Sequence, residues 1–314
     1  MTRAEIPLPL YFIVAEILPR LPTRCIARAV CRAAAAELPP SRDRVSLLRG
    51  DAARWAAAQH AELRNQGALA ANVLARAGLT RELREVVAAG CAMNESTCTA
   101  AAIYGHLATL QWARSADCRW NSLTCVYAAQ YGHLDVLRWA HEAGCPWDAR
   151  TPAAAAKAGH FQLLGYAHEA GCPWDARTCA LAARRGDLQM LQWLRSKRCP
   201  WDAETPAAAA AAGHLELLKW ARAEACPACP WDETTCSSAA LGGHLPTLQW
   251  ARDEGCPWNA QTCALAALGG HLQTLQWARE AGCPWDHMTR VYATGSGFFA
   301  NPRVLEWLNQ AGLT

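Results

Sequence analysis

Sixteen cysteines are the residues of this 314-residue sequence whose type and spacing could most readily support chemistry. Several recur as C-x6-C pairs, with one additional C-x-x-C: Cys91/Cys98, Cys118/Cys125, Cys172/Cys179, Cys229/Cys236, Cys256/Cys263 and Cys226/Cys229. Structural zinc takes four ligands, usually as two close pairs. Pro152, Pro206 and Arg290 interrupt the C-x6-C series, and the C-x-x-C has no partner pair. We therefore predict that the thiols pack in a core, with no metal and no cofactor.

Six histidines follow a glycine at a recurring position and could suggest catalysis: His106, His133, His160, His214, His244 and His271. A catalytic histidine needs a partner within hydrogen-bond reach. No acid or nucleophile recurs with these histidines, and Asp187 takes the position once without other change. P-loop, G-x-S-x-G, H-E-x-x-H and dinucleotide-binding motifs do not occur in the sequence. We expect the histidines to bond nearby backbone at the start of a helix, and we expect no enzyme activity.

Fifteen tryptophans could form stacking platforms for nucleic-acid bases, but such platforms need interleaved Lys and Arg. The 30 basic and 27 acidic residues give a net charge of only +3. The basic excess lies in residues 1–54, where nine Arg stand against five acidic residues. This charge is too small for a nucleic-acid footprint. We therefore predict that the tryptophans pack between repeated units and that nucleic acid is not a partner.

Hydropathy gives no candidate for a membrane span. The most apolar stretch, Ile6 to Leu18, contains Pro7, Pro9 and Glu16, and it lacks the charged start and small-residue cleavage site of a secretory signal. Many cysteines without a secretory signal indicate thiols in a reducing compartment. We expect a cytoplasmic, monomeric protein without a membrane partner.

Aromatic residues and threonines recur with a period of 27 residues, twice lengthened to 30. Trp112, Trp139, Tyr166, Trp193 and Trp220 keep this spacing, as do the threonines from Thr97 to Thr205. A fixed short period indicates stacked supersecondary units. Eight units run from residue 97 to 314, and a degenerate unit occupies residues 69–96. Three-residue insertions near 226–229 and 295–299 are predicted to lie in loops.

Each unit is predicted to form two helices. The threonine is interpreted as the first helix's N-cap, because Pro152 and Pro206 follow it directly. The Ala-rich first helix ends at a glycine, and His-Leu begins the second. Leu107, Leu110 and Ala113 form an apolar stripe on the second helix, with Trp112 on the opposite flank. A helix with two apolar flanks needs neighbours on two sides, so the pattern predicts an all-α solenoid of stacked helix pairs.

The repeated unit resembles the ankyrin repeat. Thr151 to His160, followed by leucines at helical spacing and Gly171-Cys172, is similar to the ankyrin pattern T-P-L-H-x-A-A-x-x-G-H with its closing Gly-Ala. The unit is shorter than the 33-residue ankyrin repeat, and the His of T-P-L-H is missing. The resemblance implies an ankyrin-like solenoid without full β-hairpin fingers. Such Cys-Pro-Trp repeats resemble those of large DNA viruses and some protists, and a viral source would imply the host cytoplasm.

The first forty residues resemble an F-box. Leucine-proline pairs and a Val-Cys-Arg ending occur in the F-box order: Leu8, Pro9, Ile17, Leu18, Leu21, Pro22, Val30, Cys31 and Arg32. The spacings around Leu21-Pro22 are off by one, and Ala34 stands near the usual closing Trp. The resemblance implies binding of a Skp1-type adaptor of a cullin ubiquitin ligase. The alternative is a small helical cap over the end of the solenoid. Residues 41–68 are assigned to a linker or capping helix.

Positions before the glycine of the first helix vary between repeats, although their surroundings are constant. This variation is expected of an extended binding face, and drift at solvated positions is the alternative. The predicted contacts with a target protein are Tyr104, Tyr131, Lys157, Arg184, Arg185, Leu241 and Leu268. Tyrosine and arginine are enriched in binding hot spots. The sequence therefore predicts a protein-interaction adaptor with an F-box-like N-terminus, or alternatively a binding scaffold that has no ubiquitin link.

Overall fold

The computed structural model describes residues 63–88, 90–223, 229–294 and 301–312. Every regular element within these ranges is an α-helix, which confirms the predicted all-α class. The F-box-like segment 1–40, with its residues from Leu8 to Arg32, lies outside the described residues. So do most of the segment 41–68 and, apart from Cys229, both three-residue insertions.

The chain divides into two compact units, Met1–Thr151 and Pro152–Thr314. The described helices of the first unit are α1 Leu63–Arg76, α2 Thr80–Ala88, α3 Glu95–Ile103, α4 Leu107–Ser115, α5 Ser122–Tyr131 and α6 Leu134–Glu142. Helix α7, Arg150–Ala158, contains the division. The second unit continues with α8 Phe161–Glu169, α9 Ala176–Arg185, α10 Leu188–Ser196, α11 Glu204–Ala211, α12 Leu215–Ala223, α13 Glu233–Gly242, α14 Leu245–Asp253, α15 Ala260–Leu268, α16 Leu272–Glu280, α17 His287–Thr294 and α18 Pro302–Gln310.

Helix pairs stack in chain order within each unit. In the first unit, the first helices α1, α3 and α5 pack side by side, and each packs on the second helix that follows it. In the second unit, α9, α11, α13, α15 and α17 form the same kind of row, with their second helices beside them. This order of contacts is that of a helical-repeat solenoid, as predicted. The degenerate first pair begins with α1 at Leu63, within the segment assigned to the linker.

The core is built from small side chains between the first helices and from larger ones on the second. Ala101, Ala102 and Ala128 are fully buried where first helices meet, whereas Leu110 and Ala113 are buried on α4. Small residues let adjacent helix backbones approach closely, while leucines fill the space behind them. The predicted stripe on the second helix is therefore confirmed at Leu110 and Ala113, whereas its third member, Leu107, is only partly buried.

The predicted N-cap was wrong by three residues. The caps are the Asn or Asp of the Pro-Trp-Asp segment and its variants, for example Asn121 on α5 and Asp175 on α9, whose side chains accept from the backbone two residues ahead. The threonine lies at the third helical position and is fully buried. Asn, Asp and Thr are all favoured caps. The prediction chose the threonine because a proline follows it in two repeats. Pro152 and Pro206 occupy later positions of the first turn.

Substitution of the true cap should measurably weaken the fold. Asp175→Ala removes the acceptor that lies 3.1 Å from the Arg177 amide, so the free energy of unfolding should fall by about 1 kcal/mol. Asp175→Asn should change it little, because Asn121 and Asn259 perform the same role elsewhere in the chain. Urea denaturation of the two variants checks this expectation. Equal destabilisation by both would show that the charge, and not the capping bond, is what matters.

Candidate functional site

The cysteines link the two ends of each helix pair. The Cys118 thiol donates to the Asn94 carbonyl at 3.2 Å, and the Cys283 thiol donates to the Asn259 carbonyl at 3.4 Å, so the end of each second helix is tied to the start of its first. Cys98 lies beside Cys118, and their hydrogen bond and burial raise the pKa of Cys98. Burial raises the pKa of Cys229, which has Pro206 at the partner position, to about 12. The raised pKa values make Cys98 and Cys229 poor nucleophiles, whereas the hydrogen bond from Cys98 lowers the pKa of Cys118. All of these thiols are buried, which fits the predicted packing role.

The repeated histidines join consecutive repeats. His106 Nε2 lies 3.1 Å from the Arg76 carbonyl oxygen, and His133 Nε2 lies 3.0 Å from that of Ile103. Each ring also covers a glycine of the preceding repeat: a Cβ added to Gly105 would lie 2.5 Å from the His133 ring. The expected structural role is confirmed, with the bond made to the preceding repeat and not to the histidine's own helix.

In one described repeat, Gly186 is followed by Asp187 where six others have a histidine, and Arg185 takes over the histidine's packing role. Asp187 cannot cover Gly159 and instead caps α10, accepting from the Met190 amide at 2.9 Å. The Arg185 guanidinium occupies the histidine's place, since a Cβ added to Gly159 would lie 2.4 Å from its Cζ. Arg185 was predicted to be a binding residue, and its packing role was not predicted, because nothing in the repeat pattern links positions 185 and 187.

Tryptophans and arginines form a ladder beside the core. The Arg222 guanidinium lies 4.1 Å from the Trp231 ring centroid and donates to the Cys229 carbonyl at 3.0 Å. Trp231 in turn meets Trp250 of the next repeat edge to face, with centroids 5.8 Å apart. The same pattern recurs at Arg252, Trp258 and Trp277. The predicted packing of tryptophans between repeats is confirmed for these pairs.

The arginine in this ladder was missed by sequence reasoning, although a signal for it exists. An Arg or His stands two residues after the second-helix aromatic in every full repeat before the last, at positions 114, 141, 168, 195, 222, 252 and 279. His168 shows that the histidine variant stacks in the same way, with its ring 4.2 Å from that of Trp174. The recurrence could have been noticed as a W-x-[RH] pattern.

The predicted binding residues of the first unit lie at the ends of α3 and α5. Tyr104 is 37% exposed and Tyr131 is 49% exposed, and we call these two residues the unit 1 face. The guanidinium carbon of Arg76 lies 5.0 Å from the Tyr104 ring centroid. Tyr131 stacks with Tyr127 at 6.4 Å. The tyrosines are thus held by neighbours while still exposed.

The predicted binding residues of the second unit share the last turn of their first helices. They are Lys157, Arg184, Arg185, Leu241 and Leu268, all exposed, and we call this set the unit 2 face. Leu241 and Leu268 are 40% and 37% exposed. Neither Lys157 nor Arg184 makes a side-chain hydrogen bond or ion pair to any residue that the structure describes.

Gly242 and Gly269, which also vary in sequence, are not free surface positions. A Cβ on Gly242 would lie 2.6 Å from the Ala211 carbonyl oxygen, and one on Gly269 would lie 2.5 Å from that of Leu241. These glycines allow α11, α13 and α15 to pack at close range. The leucines that precede them, Leu241 and Leu268, remain exposed.

Neither metal-binding clusters nor membrane-spanning helices occur among the described residues. No group of three or more His, Cys, Asp or Glu side chains there could hold a metal ion. None of the described helices has the length and apolarity needed to cross a bilayer. No protein-family model matches the sequence, and no curated protein is significantly similar to it.

Proposed function

We propose that this chain is a protein-interaction adaptor of the ankyrin type, which binds a target protein through the unit 1 face, the unit 2 face or both. The F-box-like segment 1–40 would recruit a Skp1-type adaptor, and the bound target would then be presented to a cullin ubiquitin ligase. In this proposal the chain carries out no chemistry itself. Its repeated framework holds variable side chains in defined positions.

One observation carries the binding proposal. Among the described residues, six large apolar side chains are exposed, and four of them end a first helix: Tyr104, Tyr131, Leu241 and Leu268. The two tyrosines occupy one repeat position and the two leucines occupy the preceding one. Exposed apolar side chains that recur in this way, and are not scattered singly, are typical of interaction sites. The remaining two are Phe161, which packs against Trp193 at 5.2 Å, and Val291. The exposed anchors are therefore concentrated where the sequence varies.

The ubiquitin-ligase part of the proposal depends on the F-box resemblance, and it can be tested separately from target binding. Purified Skp1-type adaptor should be captured by the full chain and not by a chain lacking residues 1–40. A full chain with Leu241→Ser and Leu268→Ser should still capture it, because the unit 2 face has no part in that contact. Equal and negligible capture by the full chain and the shortened chain would contradict the adaptor role and leave the plain binding scaffold.

A further inference from the structure

We propose that the unit 2 face binds an extended protein segment that is acidic at one end and aliphatic at the other. This inference depends on the proposed function, because it assigns a partner chemistry to the same face. The acidic end would lie over Lys157 and Arg184, and the aliphatic end would lie over Leu241 and Leu268.

Charge supports the acidic end. The last turns of α7 and α9 present Lys157, Arg184 and Arg185, whereas none of the described first helices of this unit carries Asp or Glu in its last turn. Arg185 is partly occupied by its contact with Gly159, but Lys157 and Arg184 have no partner within the described chain. Unpaired cations that project from a rigid row attract carboxylates of a partner and help to orient it.

Helix stability does not account for these cations. Basic side chains do stabilise the negative end of a helix dipole. However, α11, α13 and α15 of the same row end in Ala211, Gly242 and Leu268, and these helices are 8, 10 and 9 residues long, close to the 9 and 10 residues of α7 and α9. The array therefore does not need a cation at this position. Its presence on two neighbouring helices is better explained by what the face contacts.

Packing supports the aliphatic end, and the spacing of the helices sets the length of the bound segment. Between the cations and the leucines, Ala211 and Ala212 form a low surface, and Gly242 and Gly269 keep the helices close. The end of α7 contacts α9 through Gly159 and Arg185. From α7 to α15 there are then four helix steps of about 8–10 Å each, or roughly 32–40 Å. An extended chain at about 3.3 Å per residue covers this distance with roughly 10–12 residues. Leu241 and Leu268 then lie two helix steps or more beyond Arg184, so the two chemistries are separated along the segment.

The test is a selection from a phage-displayed library of random 16-residue peptides against the full chain. The affinities of the recovered peptides are measured by fluorescence anisotropy for the wild type and three variants. The charge variant is Lys157→Glu with Arg184→Glu, and the apolar variant is Leu241→Ser with Leu268→Ser. The control variant is Lys197→Glu with Arg303→Glu, which makes the same charge change at exposed positions of second-helix segments. Circular dichroism melting confirms that each variant is folded.

We expect peptides with Asp or Glu at one end and Leu, Ile, Val or Phe at the other. Their affinity should fall about tenfold or more in the charge variant and in the apolar variant, with the control unchanged. Higher salt should weaken binding to the wild type. Peptides with basic or neutral ends that lose affinity only in the apolar variant would overturn this inference, while the proposed function would stand. Peptides that bind the wild type and all three variants equally would also overturn this inference, while the proposed function would then depend on the unit 1 face alone.

Discussion

Gly243→Ala is expected to lower the free energy of unfolding by about 2–5 kcal/mol. Two separate costs are combined at this position. The backbone φ of Gly243 is +71°, where an L-residue costs about 1–2 kcal/mol. The new Cβ would also lie 2.4 Å from His271 Nδ1, and overpacking of this kind costs about 1–3 kcal/mol. The His271 ring has little freedom to move, because it also lies against Gly269.

Gly255→Ala is the matched control for this prediction. Its φ is +81°, but a Cβ there has no atom within 4 Å. Only the backbone cost of about 1–2 kcal/mol should remain. Urea denaturation of both variants, followed by circular dichroism, measures the difference. Equal losses would mean that the histidine–glycine contact does not hold consecutive repeats together.

Trp258→Ala is expected to lower the free energy of unfolding by about 2–4 kcal/mol. The ring lies 4.1 Å from the Arg252 guanidinium, and its centroid lies 5.9 Å from that of Trp277 in the next repeat. Removal of a buried Trp costs about 3–5 kcal/mol, and this ring is only half-buried. The loss should therefore exceed that of an ordinary surface substitution by several fold.

A double-mutant cycle separates the two contacts of this tryptophan. Arg252→Met keeps the aliphatic stem but removes the cation over the ring and the bond to the Cys256 carbonyl, at a cost of about 1 kcal/mol. If the arginine acts through the ring, the double variant should lose about 0.5–2 kcal/mol less than the two single losses combined. Strictly additive losses would show that the arginine and tryptophan act independently.

The helix pairs could be predicted from the sequence because their signals are repeated. Glycine at the end of the first helix, leucine at helical spacing and the 27-residue period all report the same architecture, and errors in one repeat are corrected by the others. The N-cap was misassigned because Asp175 and Thr178 are both good caps, so local preference could not decide between them. Only the packing, which buries the threonine completely, settles the choice.

Contacts between repeats were harder to predict. The histidine's bond reaches a carbonyl 30 residues earlier, as for His133 and Ile103, and such a pairing has no local sequence signature. The exchange at Arg185 and Asp187 is a compensation within one repeat, so the consensus hides it. The candidate binding residues could be selected because variation at a fixed structural position is visible in a single repetitive chain. Their chemistry is visible there, but the arrangement of cations, alanines and leucines required the structure.

The central claim is that the ends of the first helices bind a target protein, and quantitative affinity purification from cell lysate tests it most directly. Four full-length baits are compared: the wild type, a unit 1 variant, a unit 2 variant and a control. The unit 1 variant combines Tyr104→Ala and Tyr131→Ala, and the unit 2 variant combines Arg184→Glu, Leu241→Ser and Leu268→Ser. The control combines Lys197→Glu and Arg303→Glu. We predict a set of proteins that the wild type and the control recover equally and that at least one face variant loses. Recovery of the same proteins in the same amounts by all four baits would contradict the claim.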